Sequence, residues 1–314
     1  MKNFFSLLIC ASCLFFWNTA KGQQDAQFTQ FMFNQLFFNP GYAGIAGNTQ
    51  ISFIYRQQWA AYNPSFDDGG APSTQVLSFN TAFPKFNSGL GVHIVSDRLG
   101  PLTNLEMQLS YAYHVKVSDK AKLSLGLRGG VYSKIVDYDK YNPRERPDDL
   151  IGEEGFDANT KPDFAVGVYY QSDKLFAGLS TNHITQSEFN LAGFNQSPLA
   201  RSYYLMGGYN FALGRDGNWI LTPNFLVKVA DFKEYSFDVG GLVTYDNKFW
   251  VGSSFRNEES VNMLIGANIP SLPRNKAKQT RTLRISYSFD YVFAGQTAKQ
   301  PTSHEVVLSY LIPV

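Results

Sequence analysis

Beyond its first 22 residues the chain contains no cysteine, since the 2 present are Cys10 and Cys13. A chain without thiols cannot be stapled by disulfides and offers no thiolate to a metal. Charge is also scarce, at 17% of residues. Setting Lys2 and Lys21 aside leaves 25 basic residues against 26 acidic ones, a balance that gives no steering toward nucleic acid. After Trp17 no apolar run approaches the roughly 18 residues of a membrane-crossing helix. Histidine occurs 4 times, at positions 93, 114, 183 and 304, with no HExxH and no paired metal spacing. His93 and His114 fall on polar strand faces, where hydrogen-bonded residues are expected. GxSxG, GxGxxG after a strand and GxxxxGKS/T are all missing. Ser110 and His114 share a strand face, but strand rise sets them about 13 Å apart, too far for a nucleophile and its base. The acidic stretch Asp148, Asp149, Glu153, Glu154 and Asp157 lacks EF-hand spacing; with Arg144, Glu145 and Arg146 beside it, it reads as a self-neutralised surface loop. The sequence therefore predicts no catalytic, cofactor or metal site.

What the chain does contain begins with Lys2 and the apolar run Phe4 to Trp17, followed by Asn18-Thr19-Ala20-Lys21-Gly22. That is the pattern of a signal peptide over 1–22, and the run is too short to span a bilayer. A lipoprotein signal acylated at Cys13 is the rival; Cys10 in place of leucine and an apolar mature start at Leu14 to Trp17 argue against it.

Aromatic residues make up 16% of the chain, which suits the girdles of a membrane barrel. Thr103 to Val117 alternates without a fault. Leu105, Met107, Leu109, Tyr111, Tyr113 and Val115 take one face, and Glu106, Gln108, Ser110, Ala112 and His114 take the other. Period two means a strand, and this one is longer than ordinary globular strands. Fourteen such segments are predicted, at about 49–58, 74–83, 89–97, 103–117, 121–136, 162–171, 174–182, 201–213, 218–229, 233–245, 248–256, 259–269, 281–292 and 302–312. Links after even-numbered strands are short, as at Ser118 to Ala121, whereas Ala60 to Ser73, Asp137 to Lys161 and His183 to Ala200 follow odd-numbered strands and are long. Sorting of this kind belongs to outer-membrane barrels, with short periplasmic turns and long outer loops. Two links after odd-numbered strands, Ala230 to Lys233 and Asn257 to Ser260, are short as well. The basic link Pro270 to Thr280, with Arg274, Lys276 and Lys278, breaks the rule and reads as a solvated loop or a contact for a periplasmic partner. The fold expected is all-β, a transmembrane antiparallel barrel of about 14 strands over 49–314, preceded by a non-barrel segment over 23–48.

The polar faces carry Gly126, Gly130, Gly167, Gly178, Gly208, Gly240, Gly252 and Gly266. Small residues there leave room inside for water, a loop or the N-terminal segment, and the segment is expected. It is rich in Gln, Asn and Phe and fits neither helix nor strand period cleanly. It reads either as a leader packing aromatics on the rim or as a plug or docking element carried by Gln27, Phe28, Phe31, Phe33, Asn34 and Tyr42. In the long loops, Phe66, Asp67, Asp68, Tyr141, Arg144, Arg146 and Phe156 are the candidate partner-binding residues, as aromatic and charged groups beyond the girdle.

Gln24-Asp25-Ala26-Gln27-Phe28-Thr29-Gln30-Phe31-Met32-Phe33-Asn34, then Asn39-Pro40-Gly41-Tyr42-Ala43-Gly44, resembles the N-terminal signature of the PorP/SprF family of Bacteroidetes outer-membrane proteins. Ser288 to Tyr291 and Ser303 to Tyr310 resemble its C-terminal end, so the likeness brackets the mature chain. Ala26 stands where proline is frequent in the family, and Pro313-Val314 stand where barrels usually close on an aromatic. The resemblance implies a non-enzymatic outer-membrane component of type IX secretion and gliding motility, without cofactor. It would support secretion or surface anchoring of an exported cargo protein and contact periplasmic components of the machinery and outer-membrane lipid. The alternative from the residues alone is an outer-membrane channel for small or hydrophobic solutes.

Overall fold

The computed structural model describes residues 25–62, 67, 69–142, 155–191, 194–195, 198–214, 216–270, 281–293 and 302–314. Its first five strands are β1 (Asn48–Gln57), β2 (Ser73–Phe83), β3 (Ser88–Leu99), β4 (Leu102–Ser118) and β5 (Ala121–Asp137). Next come β6 (Phe156–Ser172), β7 (Leu175–Asn182), the short pair β8 (Asn190–Leu191) and β9 (Phe194–Asn195), β10 (Ser202–Tyr209) and β11 (Phe211–Leu213). The last six are β12 (Trp219–Ala230), β13 (Glu234–Tyr245), β14 (Phe249–Arg256), β15 (Ser260–Pro270), β16 (Thr282–Val292) and β17 (Thr302–Pro313). Fourteen of these close into an antiparallel barrel. The seam joins β1 to β17 from Asn48↔Pro313 to Gln57↔His304, and β10 pairs with β12 across the far side. β8 and β9 form a separate hairpin, and β11 pairs only with β12 beyond a break at Asn210.

Burial is inverted relative to a water-soluble protein. On β4, Met107, Leu109, Tyr111 and Tyr113 are about half exposed while Glu106, Gln108, Ser110 and His114 are buried. The same inversion exposes Leu125 and Leu127 on β5, Val239 on β13 and Val251 on β14. Apolar side chains face outward because the surrounding medium is hydrocarbon, and the ring closes because no peptide group can be left unpaired there. The polar side chains turn into the lumen and pair with one another or with what fills it.

Two expectations are corrected by the strands. β6 begins at Phe156, not near 162, because Phe156 to Lys161 pair with Tyr132 to Asp137 of β5. The segment expected at 201–213 is interrupted at Asn210, whose N–H donates to the Lys174 carbonyl at 2.7 Å. The basic link Arg274 to Lys278 lies outside the described residues.

Residues 25–47 form neither a long helix nor a strand. They make single turns at Phe31–Phe33, Gln35–Phe38 and Pro40–Tyr42, joined by extended backbone. Asn39 accepts the Gly41 N–H at 2.8 Å and sets up the last turn, with Pro40 opening it. This path contacts lumen-facing side chains throughout its length. It starts at the long-loop end, where Asp25 meets His183 just past β7, and finishes at the short-turn end beside Asn80 and His114.

Candidate functional site

The site is the lumen and the segment within it. At the upper end the Glu305 carboxylate of β17 accepts the Thr29 N–H at 2.8 Å and the Gln30 N–H at 2.9 Å. Arg56 of β1, opposite Glu305 across the seam, pairs with Asp290 at 2.7 Å and donates to the Thr29 hydroxyl at 2.8 Å. Arg256 of β14 pairs with Asp238 at 2.6 Å and donates to the Phe28 carbonyl at 2.9 Å. Both arginines are almost wholly buried, so each guanidinium needs its carboxylates and carbonyls in place. Charge here grips main chain and the Thr29 hydroxyl, which leaves the phenylalanine side chains of the segment free to pack.

At the rim the Asp25 carboxylate accepts from His183 Nε2 at 2.9 Å, from Ser202 Oγ at 2.6 Å and from the Tyr204 hydroxyl. His183 Nδ1 lies 3.1 Å from Asp163, which also accepts from Gln108 at 3.0 Å. Burial opposes the Asp25 charge, but His183 and the two hydroxyls outweigh it and hold the carboxyl pKa at about 2. Burial likewise opposes charge on His183, yet Asp25 and Asp163 raise its pKa well above the ordinary imidazole value.

Between these anchors sits an aromatic cluster. Phe28, Phe37 and Phe38 meet edge to face at 5.0–6.1 Å between centroids, and Phe38 meets Tyr204 of β10 at 5.3 Å. Ile54, Val76, Val95, Leu226 and Val307 close around them from five strands. Phe33 lies 5.3 Å from the Trp250 ring and under the Arg284 guanidinium at 4.7 Å. Burial of three phenylalanines contributes about 1.5–3 kcal/mol each. This apolar island in a polar lumen holds the middle of the segment.

The lower half is fitted to the wall by glycine. A side chain at Gly126 would overlap the Pro40–Gly41 backbone, one at Gly167 would overlap Asn39, and one at Gly89 would overlap Ala43 and Gly44. Arg128 donates to the Phe37 carbonyl at 2.8 Å and to the Leu36 carbonyl, and Ser180 donates to the Phe38 carbonyl at 2.7 Å. Asn39 donates to the Val168 and Leu179 carbonyls at 2.9 and 3.2 Å, and His114 donates to Ala43 O at 2.9 Å. Two cavities flank the segment. One of about 80 Å³ lies beside Asp25 and Tyr204; one of about 320 Å³ opens at the short-turn end beneath Gly44 to Gly47, with Lys116, Lys120 and Lys122 around it.

Gln27, Phe28, Phe31, Phe33, Asn34 and Tyr42 all lie within the lumen, with Phe33 and Tyr42 half-buried. Of the loop candidates, Asp67 is buried, bridges to Tyr141 and accepts the Gly69 N–H at 2.8 Å. Tyr141 stacks on Tyr138 at 6.4 Å. Phe156 stands 79% exposed at the start of β6. Phe66, Asp68, Arg144 and Arg146 lie outside the described residues, as does the acidic stretch apart from Asp157. Ser110 and His114 are engaged separately, with Arg128 and with Ala43. His93 is not hydrogen-bonded as its polar face suggested; it is buried with its ring 5.9 Å from Phe37 and neither nitrogen partnered. The charged residues Arg56, Arg256, Asp238, Asp290 and Glu305 were not singled out from sequence. Their signal was charge on lumen faces of a charge-poor chain. Among the described residues no group of three His, Cys, Asp or Glu is placed to hold a metal ion.

The model of the type IX secretion system membrane protein PorP/SprF matches residues 20–310. The chain belongs to the PorP/SprF family. This PorP/SprF protein is an outer-membrane β-barrel of the type IX secretion system. No curated protein matches it. Among solved structures it is similar to the CymD monoaromatic hydrocarbon channel, with 12% identity, TM-score 0.47 and coverage of 90% of this chain and 92% of that one. It is also similar to a Pseudomonas aeruginosa FadL homologue, with 10% identity, TM-score 0.46 and coverage of 85% and 90%. A third is the Pseudomonas putida toluene transporter TodX, with 9% identity, TM-score 0.45 and coverage of 90% and 94%.

Proposed function

We propose that this PorP/SprF protein is a closed barrel that holds a specific exported protein at the cell surface and engages periplasmic parts of the secretion machinery. In this reading residues 1–22 are removed on export, 23–47 act as a resident plug and 48–314 form the barrel. The observation that carries the reading is the filled lumen, gripped through Thr29 and Gln30 above and through Leu36 to Gly44 below. A permanently occupied pore cannot conduct solute, so the working surfaces are the two ends. The long-loop end, with Tyr141, Phe156 and the loops Ala60 to Ser73 and 138–155, is the cargo side. The short-turn end, with Lys116, Lys120 and Lys122 around its vestibule, is the machinery side.

Two measurements test this. Purified protein in planar bilayers is expected to show no steady current; a sustained ionic conductance favours the channel for small or hydrophobic solutes and ends the closed-barrel reading. Deleting Arg144 to Phe156 is expected to leave the barrel inserted while an exported protein disappears from the cell surface. Unchanged surface display refutes the anchoring role.

A further inference from the structure

β5 and β6 form a long paired ribbon that rises past β7. They are joined along their full length, from Ala121↔Ser172 to Asp137↔Phe156, and β4 covers the β5 side up to Val136. On the other side β7 reaches only Val166 to Gln171. Beyond it only Ile184, Thr185 and Ser187 reach this edge, and above Pro162 no strand pairs with this edge of β6 among the described residues.

The direction of its peptide groups can be read from three contacts. The Tyr138 N–H donates to the Gly155 carbonyl at 2.8 Å, so odd-numbered residues of this stretch address β5. Even-numbered residues address the other side, where Phe164 O accepts the Ile184 N–H at 3.0 Å and Pro162 O accepts the hydroxyls of Thr185 and Ser187. Above Pro162 the outward N–H and C=O groups of Thr160, Ala158 and Phe156 have no strand beside them among the described residues. The β8–β9 hairpin does not supply one, because Asn190 accepts from the Asn159 side chain, which points inward. Pro162 ends the bare edge from below, a missing donor of the kind that limits strand addition.

We propose that the β6 edge from Phe156 to Thr160 docks an extended strand of an exported polypeptide, which lengthens the barrel's sheet at its outer end. Unpaired groups at a period of two are complementary to another extended backbone. The outward side chains Phe156, Ala158 and Thr160, all exposed, favour β-branched or aromatic residues beside them on the incoming strand. A second copy of this chain does not fit. Two copies in one membrane are related about the membrane normal, so β6 strands tilted by about 40° would cross steeply and could not form a ladder. The proposal rests on the anchoring function above and specifies its contact.

Proline at even positions removes only outward N–H groups, so A158P/T160P should keep the ladder to β5, with A158S/T160S as control. Surface-exposed proteins are quantified by mass spectrometry in cells carrying wild type, either double variant or a complete deletion of the chain; heat-modifiable gel migration reports barrel folding. An exported protein that falls at least tenfold in the deletion strain is expected to fall equally with A158P/T160P and to stay with A158S/T160S. If A158P/T160P retains it while the deletion strain loses it, the edge proposal is wrong and anchoring stands. If deletion alters no surface protein, anchoring itself is wrong and the edge proposal goes with it. Should the proline variant not fold, a benzophenone on Ala158→Cys, the only thiol of a chain lacking residues 1–22, decides: crosslinks to one extended segment of that exported protein support the proposal, and none overturns it.

Discussion

Replacing Glu305 by alanine tests how the lumen segment is held. Its carboxylate accepts two main-chain N–H groups, from Thr29 at 2.8 Å and Gln30 at 2.9 Å, and all three residues are buried. Hydrogen bonds to a charged acceptor contribute about 1.5–3 kcal/mol each, so losing both removes about 3–6 kcal/mol. Arg56 is not orphaned, since Asp290 remains at 2.7 Å, and no further term for a bare guanidinium enters. A tenfold change corresponds to about 1.4 kcal/mol, so the Thr29 and Gln30 amides should exchange with deuterium about 10²–10⁴ faster in Glu305→Ala. Asn39 and Ala43 amides, anchored by Arg128, Asn39 and His114, should stay protected. Glu305→Gln should fall between, because one carbonyl oxygen still accepts. If Thr29 exchanges at the wild-type rate in Glu305→Ala, the carboxylate is not the anchor and the aromatic cluster with Arg56, Arg256 and the Asp25 contacts holds the segment.

On the outer face, Leu109→Lys should destabilise the barrel in lipid vesicles by about 2–4 kcal/mol if that position sits near the bilayer midplane, read from urea unfolding, while Leu109→Phe should be near neutral. Gly126→Val should expose the Gly41 amide to exchange or prevent the heat-modifiable form, because rigid backbone occupies the space; Gly129→Ala, whose added carbon meets only the Phe164 ring at 3.4 Å, should do neither. At the rim, His183 has a raised pKa, so its contribution is complete below about pH 6.5 and is lost as pH rises through the raised value. Asp25, lowered to about 2, contributes fully above about pH 4 and loses its contribution as pH falls through about 2. Ala26 exchange, corrected for its intrinsic rate, should therefore be flat from about pH 5 to 6.5 and climb on the alkaline side. His183→Asn should abolish that climb.

The strands could be read because lipid on one side and a polar lumen on the other impose strict period two, as in Thr103 to Val117. Loop parity fixed which ends lie together, and the lumen glycines pointed to a filled interior. Other features depended on partners far away in sequence. Arg56 and Glu305 face each other only after the ring closes, 249 positions apart, so no local pattern joins them. Asp-Ala-Asn-Thr-Lys at 157–161 has no apolar face and read as loop, yet β5 templates it as strand. The turns from Phe31 to Tyr42 follow neither period because their shape is moulded by Gly89, Gly126 and Gly167.

The placement of the upper clamp also bears on biogenesis. Arg56 belongs to the first ring strand and Glu305 to the last, and they stand opposite one another where the sheet joins itself. Stitching that join therefore assembles the grip on Thr29 in the same act. A folding intermediate with unjoined edges has no complete clamp, because Arg56 and Glu305 are brought together only by that join.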